Sequence, residues 1–140
     1  MWAPSDALRL QASYAYLDAK YDKYIDAGVN EADNRAFIHA PENSFNLLAD
    51  ARIARTAWGD LRGMLDYSWT DDYFTYPYQL ARSGPRYNPA AAIAGDTRIK
   101  SYGVLNARLA LTDITLKGSQ AEIALWSRNL TDEEQILNYI

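Results

Sequence analysis

Residues 102–134, YGVLNARLALTDITLKGSQAEIALWSRNLTDEE, alternate in character with a period of two. Leu105, Ala107, Leu109 and Leu111 fall on one parity, with Asn106 and Arg108 between them. A period of two sends successive side chains to opposite faces of a strand, so this run reads as a β-strand with one apolar and one polar face. A short polar break over residues 113–119, containing Lys117-Gly118, precedes a second strand. That strand places Ile123 and Leu125 on one face and Glu122 and Arg128 on the other. Two amphipathic strands and a tight turn make one hairpin of a larger sheet. What lies against its apolar face constrains everything else.

The same pattern recurs earlier in the chain. From Leu8 to about Lys20, Leu8, Leu10, Ala12, Tyr14 and Tyr16 share a parity opposite Arg9, Gln11 and Ser13. Residues 44–55 set Phe45, Leu47, Ala49, Ala51 and Ile53 against Asn46, Asp50 and Arg52. Residues 60–70 set Leu61, Gly63, Leu65, Tyr67 and Trp69 against Arg62, Asp66, Ser68 and Thr70. The expectation is therefore an all-β chain, an antiparallel up-and-down meander of about five strands.

Between the strands, connection lengths run long, short, long, short: residues 21–43, 56–59, 71–100 and 113–119. The first long stretch is rich in Asp, Asn, Ala and Gly and closes at Pro41. It reads as a polar loop. The second holds Pro77, Pro85 and Pro89 with Gly84 and Gly95, which disfavours a regular strand. Unstructured loops beyond about 12–15 residues are uncommon in compact soluble domains, whereas outer-membrane barrels combine short periplasmic turns with longer extracellular loops. Charge distribution agrees. Arg9, Asp50, Arg52, Arg62, Asp66, Arg108, Glu122 and Arg128 all occupy the polar phase of their strands. A soluble sheet would alternate as well, but a membrane barrel must, because a cation on the lipid face at mid-depth costs roughly 2–4 kcal/mol. Strands of about 10–12 residues match the roughly 9–11 that a tilted strand needs to cross the hydrocarbon layer. Tyr14, Tyr16, Tyr67, Trp69, Tyr73, Phe74, Tyr76 and Tyr102 gather beside the long connections, with Trp58 at the opposite rim, as in the aromatic girdles of such barrels.

Composition removes several alternatives. The chain has 140 residues, enough for one domain, and 11 of its aromatics are Tyr. A net charge of −4 argues against a nucleic-acid binder. The absence of Cys excludes disulfides and thiolate metal sites but leaves the compartment open. No apolar run approaches the roughly 20 residues of a membrane-spanning helix. The start, MWAPSD, is not a secretion signal, so an exported protein would carry its signal outside this sequence.

Residues 66–74, DYSWTDDYF, resemble the recurring aromatic-Asp-Asp-aromatic strand end of TonB-dependent outer-membrane receptors. Residues 102–109, YGVLNARL, followed by residues 125–134, LWSRNLTDEE, resemble the C-terminal barrel strands of the same family. The likeness runs from about Ser44 and is strongest after Ser101. It differs at Gln135, where the family carries an aromatic, and at Ile140, where the family closes on a terminal aromatic. The resemblance implies a C-terminal fragment of a receptor barrel of roughly 22 strands with a plugged lumen, lacking the plug domain and the final closing strand. It implies a Gram-negative outer membrane and active uptake of a scarce nutrient, such as an iron–siderophore, a vitamin or a glycan. The implied partners are outer-membrane lipid, the plug domain of the parent, the TonB complex acting through an N-terminal region absent here, and the nutrient ligand. No enzyme activity and no cofactor are implied.

On this reading Leu47, Ile53, Leu61, Leu65, Leu105, Leu109, Leu111, Ile123 and Leu125 face lipid. Arg62, Asp66, Arg108, Glu122 and Arg128 face the lumen, where they contact a plug or pair with one another across strands. Tyr73, Tyr76, Tyr78 and Tyr87, in the loop 73–87, are the extracellular ligand-contact candidates, or else anchor the interface. Other motifs are weaker. Asp71-Asp72 could suggest a hydrolytic carboxylate pair, but neighbours on a strand point to opposite faces. His39 stands alone as a metal ligand, residues 26–33 lack EF-hand spacing, and Asn129-Leu130-Thr131 matches a glycosylation acceptor by chance. Thr131 with Glu134 would fit a capping box for one helical turn, or the segment begins a loop. Two rivals stand beside the receptor reading. One is a small soluble ligand-binding β-barrel with its apolar face inward, and the other a β-rich hydrolase using a loop carboxylate.

Overall fold

The computed structural model describes residues 2–136. In chain order its strands are β1 (Trp2–Ser5), β2 (Leu8–Tyr16), β3 (Ile25–Asp26), β4 (Val29–Asn30), β5 (Asn43–Thr56), β6 (Gly59–Thr70), β7 (Tyr73–Phe74), β8 (Arg98–Ile99), β9 (Tyr102–Leu116) and β10 (Ser119–Ser127). The protein is all-β, and its principal sheet is an antiparallel meander of six strands in the order β1-β2-β5-β6-β9-β10. The five long strands are those expected from the alternation. The sixth, β1, is four residues long, too short to show a period, and pairs Trp2 with Leu10 and Ser5 with Leu8. Among the described residues the sheet does not close into a barrel.

Two compact units emerge. One contains the sheet (residues 2–14, Phe45–Trp69 and Gly103–Glu133), and the other the two long connections (Ala15–Ser44 and Thr70–Tyr102).

In the sheet unit the alternation is realised as two faces. Leu109 pairs with Leu125 and Leu111 with Ile123 across β9 and β10. Phe45 lies 5.4 Å from the Trp69 ring and 5.9 Å from Tyr67, forming an aromatic cluster at the start of β5 and end of β6. Strand β9 is longer than the periodicity suggests. Its parity breaks at Thr112-Asp113, but the register shift between Ala121 and Ile123 shows that break to be a bulge. Two residues of β9 then oppose Glu122, and Asp113 adopts φ 58°. The extra residue resets the phase, so Ile114, opposite Ala121, joins the face already occupied by Leu111. The turn is thus not residues 113–119 but Lys117-Gly118 alone, with φ 47° and 87°, the two positive values that a type I′ hairpin requires. At the β5–β6 connection Gly59 is needed for a different reason. A Cβ there would collide with the Thr112 carbonyl of β9.

The long connections are more ordered than their composition suggests. In place of featureless loops, β3 and β4 form a hairpin across Ala27-Gly28, again with two positive φ values of 47° and 84°. Strands β7 and β8 pair antiparallel, matching Tyr73 with Ile99 and Phe74 with Arg98. Single bridges join Arg35 to Gln79, Ile38 to Phe74 and Gln79 to Ile93. Among the described residues, most of the fully buried ones lie here: Asn34, Ala36, Thr75, Gln79, Ala94, Thr97 and Ile99, against Ala110 from the sheet.

After β10 no helical turn forms among the described residues, so Thr131 caps nothing. Asn129 closes this segment instead. Its side-chain oxygen accepts from the Glu133 N–H at 2.9 Å, and its amide donates to the Glu133 carbonyl at 3.0 Å.

Candidate functional site

The two faces of the sheet differ in what they leave unsatisfied. On the apolar face, Leu47, Ile53, Leu65, Leu109, Ile123 and Leu125 are all exposed, Leu125 at 73%. Leu61, Leu105 and Leu111 on the same face are half-buried. Shallow grooves run along this face, one lined by Ile53, Leu65, Leu109 and Leu125 and another by Leu10, Leu47 and Leu105. None of these side chains carries a charge.

The polar face is satisfied internally. Asp66 accepts from the Asn46 amide at 2.9 Å and from the Asn106 amide at 3.1 Å, and Asn106 in turn accepts the Asn129 N–H at 3.1 Å. This ladder crosses β5, β6 and β9. Arg62 donates to both oxygens of Asp50 at 2.8 and 2.9 Å, Arg52 lies 3.5 Å from Asp60, and Arg108 pairs with Glu122. Arg128 stacks over Trp126, which pairs with Arg108, so an exposed indole stands on the otherwise polar face. Four of the five lumen candidates, Arg62, Asp66, Arg108 and Glu122, are thus held by cross-strand partners. Each such pair is worth about 0.2–1 kcal/mol.

In the other unit, the two long connections are tied together by ionic and amide bonds between residues far apart in sequence. Arg86 bonds both oxygens of Asp33 at 2.6 and 2.8 Å and reaches Glu31 at 3.2 Å. Arg86 holds the Asp33 carboxyl below its ordinary range, while the Asn34 amide, followed by Arg86, does the same for Glu31. Buried Asn34 accepts the Ala81 N–H at 2.9 Å. Buried Gln79 folds its own connection, accepting from Asn88 N–H at 3.0 Å and donating to the Asn88 carbonyl at 2.8 Å. Asp71 is lowered chiefly by the Asn43 amide at 2.9 Å. Asp72 clamps Arg98 through two bonds of 2.6 and 2.7 Å. Both members of the suspected hydrolytic pair are therefore engaged by structural partners. His39 meets the Tyr73 ring edge-on at 5.9 Å, and no group of three or more metal-ligating side chains occurs among the described residues.

This unit contains a cavity of about 890 Å³. Tyr21, Phe37 and Tyr73 supply aromatic walls, and Asp18, Asp22, Glu42, Lys20 and Arg35 supply charge. Of the tyrosines expected to contact a ligand, Tyr73 lines it, with its hydroxyl pKa raised by burial. Tyr76 and Tyr78 stack on each other at 5.5 Å instead, and neither they nor Tyr87 is part of the lining. Sequence reasoning missed Asp22, Arg35, Phe37 and Glu42. The available signal was the density of opposite charges shared between the two long connections, acidic at Glu31 and Asp33 and basic at Arg86.

No protein-family model matches the chain, no curated protein matches it, and no solved structure matches it.

Proposed function

We propose that this chain is a C-terminal part of the barrel wall and outer loops of a TonB-dependent receptor in a Gram-negative outer membrane. The observation that carries the reading is the sheet itself. One face is an exposed apolar surface, free of charge between the strand ends, and the other a hydrogen-bonded polar ladder. In a sequential antiparallel meander, connections alternate between the two ends of the sheet, so the long ones leave from one end and the tight turns from the other. Lipid covering the apolar face accounts for its exposure, since a membrane strand needs no protein core on that side. The plug of the parent receptor would meet the polar face near Arg62, Asp66, Arg108, Glu122 and Arg128. TonB would act on that plug, driving uptake of a nutrient such as an iron–siderophore, a vitamin or a glycan. The resemblance of residues 66–74, 102–109 and 125–134 to this family's strands supports the same reading. The wall and loops carry no chemistry.

The test is a cysteine scan from Leu105 to Leu111, each site labelled with a fluorophore and the protein placed in vesicles of brominated lipid. Quenching is expected at 105, 109 and 111 and not at 106 and 108. A monodisperse monomer in detergent-free buffer, with the same leucines shielded, would favour the soluble ligand-binding barrel and sink the receptor reading.

A further inference from the structure

We propose that the cavity in the unit of long connections is a binding site for organic ammonium cations. The inference goes beyond the receptor reading, which names no cationic ligand, and it stands on the cavity alone.

The charges of the lining divide into those already neutralised and those that are not. Asp18 is paired with Lys20 at 2.9 Å, Asp33 with Arg86 at 2.6 Å and Asp72 with Arg98 at 2.6 Å. The Arg35 guanidinium is paired with Asp26 and lies over the Tyr24 ring, with its side chain only 15% accessible. Both cations of the lining, Lys20 and Arg35, are therefore spent within the protein. Two carboxylates are not. Among the described residues, Asp22 has no hydrogen bond or ion pair, and no cation pairs with Glu42, which accepts from the Tyr16 hydroxyl. Asp22 and Glu42 are exposed and line the cavity, so a ligand there can reach them. The unpaired charge of the site is negative.

The walls point the same way. Tyr21 and Phe37, with ring centroids 4.7 Å apart, stand in the lining with Tyr16 and Tyr73. The face of an aromatic ring is negative and attracts a cation within about 6 Å of its centre. An anion is disfavoured by rings and carboxylates alike, and a neutral ligand gains from neither charge. A bare metal ion lacks its ligands, because no three metal-ligating side chains converge among the described residues. An ammonium with carbon substituents suits the mixture: its alkyl surface packs on the rings while its charge meets Asp22 and Glu42. The volume of about 890 Å³ lies in the range of small-molecule sites, roughly 300–1,000 Å³. It leaves room for the rest of the molecule that bears the ammonium.

The experiment titrates the full chain, in a nonionic detergent without an ammonium headgroup, with three probes of one shape. Choline is positive, 3,3-dimethylbutan-1-ol neutral and 3,3-dimethylbutanoate negative. Calorimetry is expected to give choline a Kd of about 1 mM or tighter, the alcohol binding at least about tenfold weaker, and the carboxylate none. Asp22→Asn and Glu42→Gln, both at exposed positions, are each expected to weaken choline about fivefold, and together about twentyfold. Choline binding weaker than about 1 mM, equal binding of the alcohol, or unchanged choline binding in the double variant would overturn the proposal. A chain that binds choline yet disperses as a monomer in plain buffer keeps this inference and loses the receptor reading. A chain that inserts into vesicles and does not bind choline does the reverse.

Discussion

The sheet and the long connections bury opposite things. In the sheet, large apolar side chains such as Leu109, Ile123 and Leu125 are exposed, while Asn46, Asp66 and Asn106 are half-buried in a ladder that leaves little for solvent to satisfy. In the connections, the buried positions include Asn34, Thr75, Gln79 and Thr97, each bonded to groups of the same unit. A sheet with no apolar interior of its own depends on an apolar surrounding for that face. A unit whose interior is hydrogen-bonded does not, provided every partner stays in place. On the receptor reading, one region is stabilised by its environment and the other by its own side chains.

That contrast can be broken most sharply at mid-strand. Leu109→Arg is expected to destabilise the sheet by about 2–4 kcal/mol in vesicles, whereas Ser68→Arg, on the opposite face, costs far less. Denaturant titration of the vesicle-inserted protein checks the pair, and equal effects would erase the distinction between faces. The next largest effect belongs to the connections. Gln79→Leu strips Asn88 of its side-chain partners and is expected to cost about 1–3 kcal/mol. It would be seen as faster proteolysis within residues 70–102 with the strand signal unchanged. The smallest effect is in acid. The Glu31, Asp33 and Asp71 carboxyls are all held below their ordinary range in the folded protein. Their contribution is therefore fully present above the ordinary carboxylate value near ~4 and is lost as pH falls through the lower folded values. Near-ultraviolet dichroism from the tyrosines should weaken below pH ~4 before the far-ultraviolet strand signal does. The loss is modest, because exposed ion pairs are screened by water.

Alternation carried most of the sheet into view, because a period of two is written in every strand long enough to show it. β1 is invisible to that argument, since four residues contain too few alternations to count. The end of β9 misleads it, because one bulged residue at Thr112-Asp113 reverses the parity while the physical face continues through Ile114. The candidate site was far less legible. Tyr73 stands beside residues named from local pattern, but Asp22, Arg35, Phe37 and Glu42 sit in stretches with no period at all. Their roles depend on which distant partner neutralises each neighbour, as when Arg86 takes Asp33, 53 residues away.

The sequence by itself determined that the chain is β, where its five long strands run, and that each has an apolar face free of charge between the strand ends. Those properties are local, following from the alternation of side chains along an extended backbone. Only the tertiary structure decided that the long connections fold together into an ordered unit, that Arg62, Asp66, Arg108 and Glu122 are held by cross-strand partners, and that the bulge keeps one apolar face continuous. Such outcomes depend on pairings between residues tens of positions apart, and no local period records them.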